Sequence, residues 1–378
     1  MADDLKREPN GHGARQPLDQ VLELGRRQGQ LLLRLQAQLA GLQRAQLDLT
    51  LELAELARSR GGSGYFIRGG RGVMLTPPQR EAIAALKARL ARGEYRMAPH
   101  PCPCGAHADQ LLAVRDRYGI AVNTVICRAC GLMRADPYYT PETLTRFYSQ
   151  EYGAIYGRGL VDFSAHFASS YQMRGAPVVR NLRQRRVALE RRRVYEIGCG
   201  GGWILRHFQE LGCTVIGVDY DEAMVRQGRE LGLDLRLGGC ELLAPEPRAD
   251  VIILSHVLEH IPDLQEFLAQ VTALLAPGGV LYVCVPTLET IGSAYGHNLF
   301  FYLQNAHVYC FSLPTLTAVL ERAGLSVTRL DDSAVLAAPK APAQLTDCSQ
   351  EYARIMALLQ REESLFFQGL HSRGMGRT

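Results

Sequence analysis

Glu196-Ile197-Gly198-Cys199-Gly200-Gly201-Gly202 joins an expected strand, Val194–Ile197, to an expected helix, Trp203–Leu211. Glycines in such a joint let the backbone turn tightly and lie against a ligand without interference from Cβ atoms. The amides that open the helix can then face the ligand's polar groups. Asp219 stands at the end of the next expected strand, in Val215-Ile216-Gly217-Val218-Asp219. An acidic residue about 20 positions beyond a glycine turn, at a second strand's C-terminal end, is placed to accept hydrogen bonds from both hydroxyls of a ribose.

Working outward, strands and helices alternate. Thr214–Val218, Leu233–Leu237, Asp250–Leu254, Val280–Val285 and Leu325–Leu330 read as strands, the last of them the final one. Glu222–Leu231, Asp263–Leu275 and Pro314–Ala323 read as helices. Continuous Val/Ile/Leu strands separated by helices imply an α/β fold, a Rossmann-like parallel sheet with helices on both faces.

A ribose-binding carboxylate serves a nicotinamide dinucleotide as well as it serves S-adenosylmethionine. Two details favour the second. Glu196 is acidic where a dinucleotide site usually has an apolar residue, and Gly202 comes too early to complete the pyrophosphate-binding G-x-G-x-x-G. The candidate cofactor ligands are Glu196, Gly198, Gly200, Gly202, Asp219 and its neighbour Tyr220, Cys240 and Ser255.

The chain resembles the class I methyltransferase superfamily, in a branch common among sugar and natural-product tailoring enzymes. The matching stretches are Glu196–Gly202, Asp219, Asp250–Pro262 with its Ser255-His256-Val257-Leu258-Glu259-His260, Leu275–Leu281 and His307–Ser312. The resemblance implies that Gly198, Gly200 and Gly202 line the methionine part of the cofactor and that Asp219 binds its ribose. Where the family often has an Asp that touches adenine, this chain reads Gly239-Cys240-Glu241.

Ahead of this domain, residues 1–17 read as a disordered lead and 18–60 as a helical segment. Leu32, Leu35, Leu39, Leu42, Leu49, Leu53 and Leu56 repeat at 3-4 spacing, the seam of a coiled coil, so a homo-oligomer through 18–58 is expected. Residues 61–98 form a glycine-rich joint and a short helix, 99–136 a cysteine module, and 137–193 an aromatic-rich helical cover. The methyltransferase domain takes 194–332, and a C-terminal helix and tail take 333–378. The net charge of +4 neither demands nor excludes an anionic partner. Residues 1–20 lack the apolar core of a secretory signal, and no run approaches the ~20 apolar residues of a membrane span, so a cytoplasmic location is expected.

Of ten cysteines, Cys102, Cys104, Cys127 and Cys130 fall in two close pairs around an expected hairpin of Leu111–Arg115 and Ile120–Cys127. Four thiolates from two turns suit a closed, structural, tetrahedral zinc site. His100 and His107 flank the first pair as substitute ligands. A zinc ribbon ahead of a methyltransferase domain is also familiar from the tailoring branch, where the ribbon and the following helices cover the substrate cleft.

Methyl transfer from a sulfonium is an in-line displacement, and a hydroxyl acceptor needs a base, most often His. The candidates are His256, Glu259 and His260 after the fourth strand, and His307 and Tyr309 before the last helix. Related sugar C-methyltransferases carry Tyr-His-Glu-His where this chain has Gln304-Asn305-Ala306-His307, and they end in a large extra domain. Both departures favour O-methylation of a sugar, glycan or other small molecule, a nucleotide-sugar among them, over C-methylation. Two other classes stay open: an RNA methyltransferase gripping its substrate with the ribbon and the Arg180–Arg193 basic stretch, and a coiled-coil assembly protein with vestigial chemistry. Nucleic acid is disfavoured, because no aromatic-basic RNA-binding pattern accompanies the arginines.

Overall fold

The computed structural model describes residues 75–156 and 162–374, together with Ile67 and Val73, with side chains described as far as 369. The expected lead, the coiled-coil segment and the glycine joints before 73 lie outside the described residues.

A helix at Pro77–Ala91, opened by a Thr76/Gln79 capping box, leads into the cysteine module. There β1 (Met97–Ala98), β2 (Asp109–Arg115), β3 (Ala121–Cys127), β4 (Met133–Ala135) and β5 (Tyr138–Tyr139) follow in order. The β2–β3 hairpin is the expected one. Asp116 closes it, accepting the amides of Tyr118 and Ile120 at 2.9 Å each on one carboxylate oxygen.

The main sheet uses β6 (Arg193–Ile197), β7 (Thr214–Asp219), β8 (Leu235–Leu237), β9 (Ala249–Ser255), β10 (Leu275–Cys284), β12 (Ser326–Arg329) and β13 (Ala334–Ala338), in the order β12-β13-β10-β9-β6-β7-β8. β8, β7, β6, β9 and β10 are mutually parallel. Where the sequence marked Leu325–Leu330 as the final strand, β13 follows it and lies antiparallel between β10 and β12, so the sheet is mixed. The reversal is local chemistry: the Asp331 carboxylate accepts the Ser333 and Ala334 amides at 2.8 Å each and folds the chain back.

Alternation along the central strands covers both faces. Val194, Val215, Val251 and Ile253 bury against the Trp203–Glu210 and Ala176–Gln184 helices. Tyr195, Ile216, Ile252 and Leu254 bury against the Leu264–Ala273 and Leu313–Arg322 helices. β11 (Tyr309–Cys310) does not join this sheet. It pairs antiparallel with β4, so the module's sheet runs β11-β4-β3-β2 and takes its last strand from the chain just before the Leu313–Arg322 helix. A bridge between Thr287 and Phe311 ties the same segment to the loop after β10. The C-terminal helix, Glu351–Gly374, buries Ile355 and Leu359 against Leu112, Ile126 and Met133 of the module.

Candidate active site

In this sheet the chain leaves β6 toward β7 on one side and enters β9 on the other, and the crevice between the strands' carboxyl ends is where an open α/β sheet binds ligands. The glycine loop follows β6 into that crevice. Gly198, Gly200 and Gly202 all adopt left-handed φ, at +71°, +54° and +80°. At Gly198 a Cβ would stand 2.5 Å from Val257 Cγ2, so glycine there is what lets the loop rest on the turn after β9. The amides of Gly198 and Cys199 both donate to the Val218 carbonyl, at 2.8 and 3.1 Å.

Asp219 ends β7 and is almost fully buried. One of its oxygens accepts the Gly200 amide at 2.7 Å and the other the Asp221 amide at 2.8 Å. The carboxylate therefore fixes the glycine loop and the start of the next helix together. Glu196, at 1% exposure, lies beneath the loop with Oε2 buried and unpartnered among the described residues. Burial, and then the charge on Asp219, push its carboxyl well above the usual range. A buried carboxyl oxygen without a partner beside a glycine loop fits a ligand that carries its own ammonium and sulfonium charge. At the end of β8, Cys240 donates to Gln270 Oε1 at 3.3 Å, and the largely exposed Tyr220 sets its hydroxyl over Gly239.

β9 ends at Ser255, and His256 follows in a left-handed conformation, φ +58°, its amide donating to the Cys284 carbonyl at 2.8 Å. No long helix opens there: a single 3-10 turn, Leu258–His260, intervenes before the Leu264–Ala273 helix. That turn lifts Glu259 and His260 toward His307, and the Val308 amide donating to the Glu259 carbonyl at 2.9 Å holds the two segments together. The ligand atoms of Glu259, His260 and His307 all lie within 4.8 Å of one another. His256 Nδ1 stands 3.5 Å from Glu259 Oε1. Burial pushes the His307 imidazole well below its ordinary pKa, with His260 adding to the effect, so His307 is neutral. Burial alone would raise the Glu259 carboxyl, but the His256 contact and then the His260 charge outweigh it and hold it at about 2.

Tyr309 is not part of this group. Its hydroxyl donates to the Pro262 carbonyl at 3.1 Å and meets His100 Nε2 at 2.9 Å, which ties the module to the domain. His100 is thereby engaged away from the cysteines, and His107 is exposed. The four sulfurs of Cys102, Cys104, Cys127 and Cys130 lie within 4.8 Å of one another, with Cys102–Cys130 at 3.5 Å and Cys104–Cys127 at 3.6 Å. A tetrahedral site with Zn–S near 2.3 Å sets its sulfurs about 3.8 Å apart, so this donor set fits zinc without a histidine.

The residues missed from the sequence belong to the cover. Tyr148 reaches His260 Nδ1 at 3.0 Å, and Tyr156 and Tyr139 hold the Asn305 side chain at 2.8 and 3.2 Å. The four-residue spacing of Tyr148, Tyr152 and Tyr156 was the available signal.

Residues 171–330 match the family model described as a methyltransferase domain. Over this segment the chain is similar to methyltransferase domains. Its relatives include a probable S-adenosylmethionine-dependent methyltransferase of Mycolicibacterium smegmatis, 34% identical over 139 residues, 36% of this chain and 52% of that protein. A ubiquinone biosynthesis O-methyltransferase of Rhodopseudomonas palustris is 34% identical over 97 residues, 24% of this chain and 38% of its own length. The chain thus spans about half or less of the curated relatives it matches. Among solved structures, an S-adenosylmethionine-dependent methyltransferase from Archaeoglobus fulgidus aligns with a TM-score of 0.37 at 22% identity, over 47% of this chain and 99% of that one. The matched segment contains the glycine loop, Asp219, Glu259, His260 and His307, while the four clustered cysteines precede it.

Proposed function

We propose that the chain transfers a methyl group from S-adenosylmethionine to a hydroxyl oxygen of a small-molecule, sugar or glycan acceptor. One observation carries the reading: through Val257 against Gly198, the glycine loop packs directly on the turn that presents His256, Glu259 and His260, with His307 brought in from the other side. Bound S-adenosylmethionine supplies an electrophilic methyl group on a sulfonium. Asp219 and the side-chain-free backbone of the glycine loop hold it, and Glu196 supplies a carboxyl oxygen facing its positive charge. The imidazole–carboxylate group takes the hydroxyl proton as the oxygen attacks in line, and the tyrosine-rich cover excludes water. The names of the ubiquinone O-methyltransferases support an oxygen acceptor. The four-cysteine site holds a structural zinc that fixes the cover and contributes no open coordination position. Among the described residues no helix is long and apolar enough to cross a membrane.

Titration calorimetry with S-adenosylmethionine is the first test. Asp219→Ala removes the acceptor of both the Gly200 and Asp221 amides and is expected to weaken binding at least tenfold. Equal affinity in wild type and variant would overturn the cofactor assignment. Release of S-adenosylhomocysteine over a panel of phenolic, sugar and nucleotide-sugar hydroxyls then identifies the acceptor class.

A further inference from the structure

Among the described residues Glu259 is the one whose side chain has both carboxylate oxygens buried and unpartnered. A buried carboxylate left without hydrogen bonds is costly, and native structures rarely tolerate one unless it meets a cation. The imidazoles near it do not satisfy it: His256 Nδ1 stands 3.5 Å and His260 Nε2 4.0 Å from Oε1. The His260 ring is also oriented. The Ala306 carbonyl, which can only accept, lies 2.9 Å from Nδ1, so Nδ1 carries a proton and Nε2 is the nitrogen turned toward Glu259. Donation of the far nitrogen to a backbone carbonyl is the way proteins orient a metal-binding histidine. Tyr148 at the same Nδ1 reinforces that orientation.

We propose that Glu259, His260 and His307 hold a divalent first-row cation of the Mn2+ to Zn2+ series, distinct from the four-cysteine site, with open positions that receive the acceptor's oxygen. Two imidazoles and one carboxylate on a single face are the donor set that leaves such positions free. Ligand bonds of roughly 2.0–2.2 Å place donor atoms about 3.0–3.6 Å apart, and the present group, within 4.8 Å, reaches that by small side-chain movements. The inference rests on the methyl-transfer reading for its purpose. An acceptor hydroxyl bound to the cation is more acidic, and His256, the member of the group that is not a ligand, takes its proton. The O–CH3 bond then forms as the S–CH3 bond breaks, and sulfur keeps that electron pair as a thioether.

The test uses the full chain with its cysteine site first filled with zinc and excess metal removed. Mn2+ is then titrated and the free ion followed by electron paramagnetic resonance, with S-adenosylmethionine binding measured in parallel. The expected result is one Mn2+ per chain, weakened at least tenfold in both Glu259→Gln and His307→Gln, with S-adenosylmethionine affinity retained. Should one variant fail to fold, the other carries the comparison. No Mn2+ bound by wild type that still binds S-adenosylmethionine, or equal Mn2+ affinity in a folded variant, overturns the cation site and leaves the methyl-transfer reading intact. Mn2+ bound without any S-adenosylmethionine binding does the reverse.

Discussion

Gly131, the residue after the second cysteine pair, lies so close to Glu351 that a Cβ on it would stand 2.7 Å from the Glu351 carbonyl carbon. The cysteine module and the start of the C-terminal helix are thereby pressed together at a point that only glycine allows, because Gly131 also has φ +72°. Gly105, after the first pair, has φ +84° but nothing within 4 Å of its would-be Cβ. Gly105→Ala should therefore cost only the left-handed strain, about 1–2 kcal/mol. Gly131→Ala should cost that plus about 1–3 kcal/mol of overpacking. Urea unfolding of the two variants checks the difference, and equal costs would mean the C-terminal helix is not seated on the turn.

Asp116 accepts three backbone amides, those of Tyr118, Ile120 and Asn305, and is fully buried. Burial raises its carboxyl against the pull of those amides, to about 6 from an ordinary 3.8. A group with a raised folded-state pKa favours folding when protonated. Its contribution is complete below about 3.8 and is lost as the pH climbs through about 6. The span corresponds to up to ~3 kcal/mol. Asp116→Asn has no such proton to lose, so wild type should lose stability relative to the variant between pH 4 and 6.5. The slope of that difference is the readout, since Asn sacrifices an accepted bond and lowers stability at every pH. Parallel curves would refute the shift.

The parts of this fold that were legible share a property: their signal is contiguous. The glycine loop, Asp219, the apolar strands and the four cysteines each announce themselves within a few residues. β13 was not legible because Ala334–Ala338 is short and lies behind an Asp-Asp-Ser turn that resembles the start of a tail. β11 is two residues long and pairs with β4, which lies far back in the chain (Tyr309 opposite Arg134), so no local periodicity marks it. The same non-local pairing explains the site. His256, Glu259, His260 and His307 were all readable as candidates, but the 3-10 turn at Leu258–His260 and the grouping of Glu259 with His307 come from tertiary contacts.

With Glu196 facing the cofactor as proposed, S-adenosylmethionine binding should be a proton-linked event. Its carboxyl is pushed well up by burial and by Asp219, so it favours folding in the protonated form and that contribution fades as the pH rises through its folded-state value. A bound sulfonium amino acid brings positive charge next to it and favours the anion, so binding near neutral pH should release a proton. Calorimetry of S-adenosylmethionine binding in buffers of different ionisation enthalpy measures that release directly. The linkage should vanish in Glu196→Gln, which keeps the shape and cannot ionise. Unchanged proton release in the variant would assign the proton elsewhere.

Because β11 pairs with β4, one sheet links the four-cysteine module to the segment that carries His307. β4 begins three residues after Cys130, and β11 begins two residues after His307. Stripping the proposed zinc should therefore act beyond the module. With metal-free protein, or with Cys130→Ser, hydrogen exchange is expected to rise in 305–311 as well as in 99–136, while the Leu264–Ala273 helix, packed on the main sheet, keeps its protection. Zinc content by mass spectrometry should fall by one ion per chain in the variant. Exchange that rises only within 99–136 would show that the module holds its metal without bracing the active site.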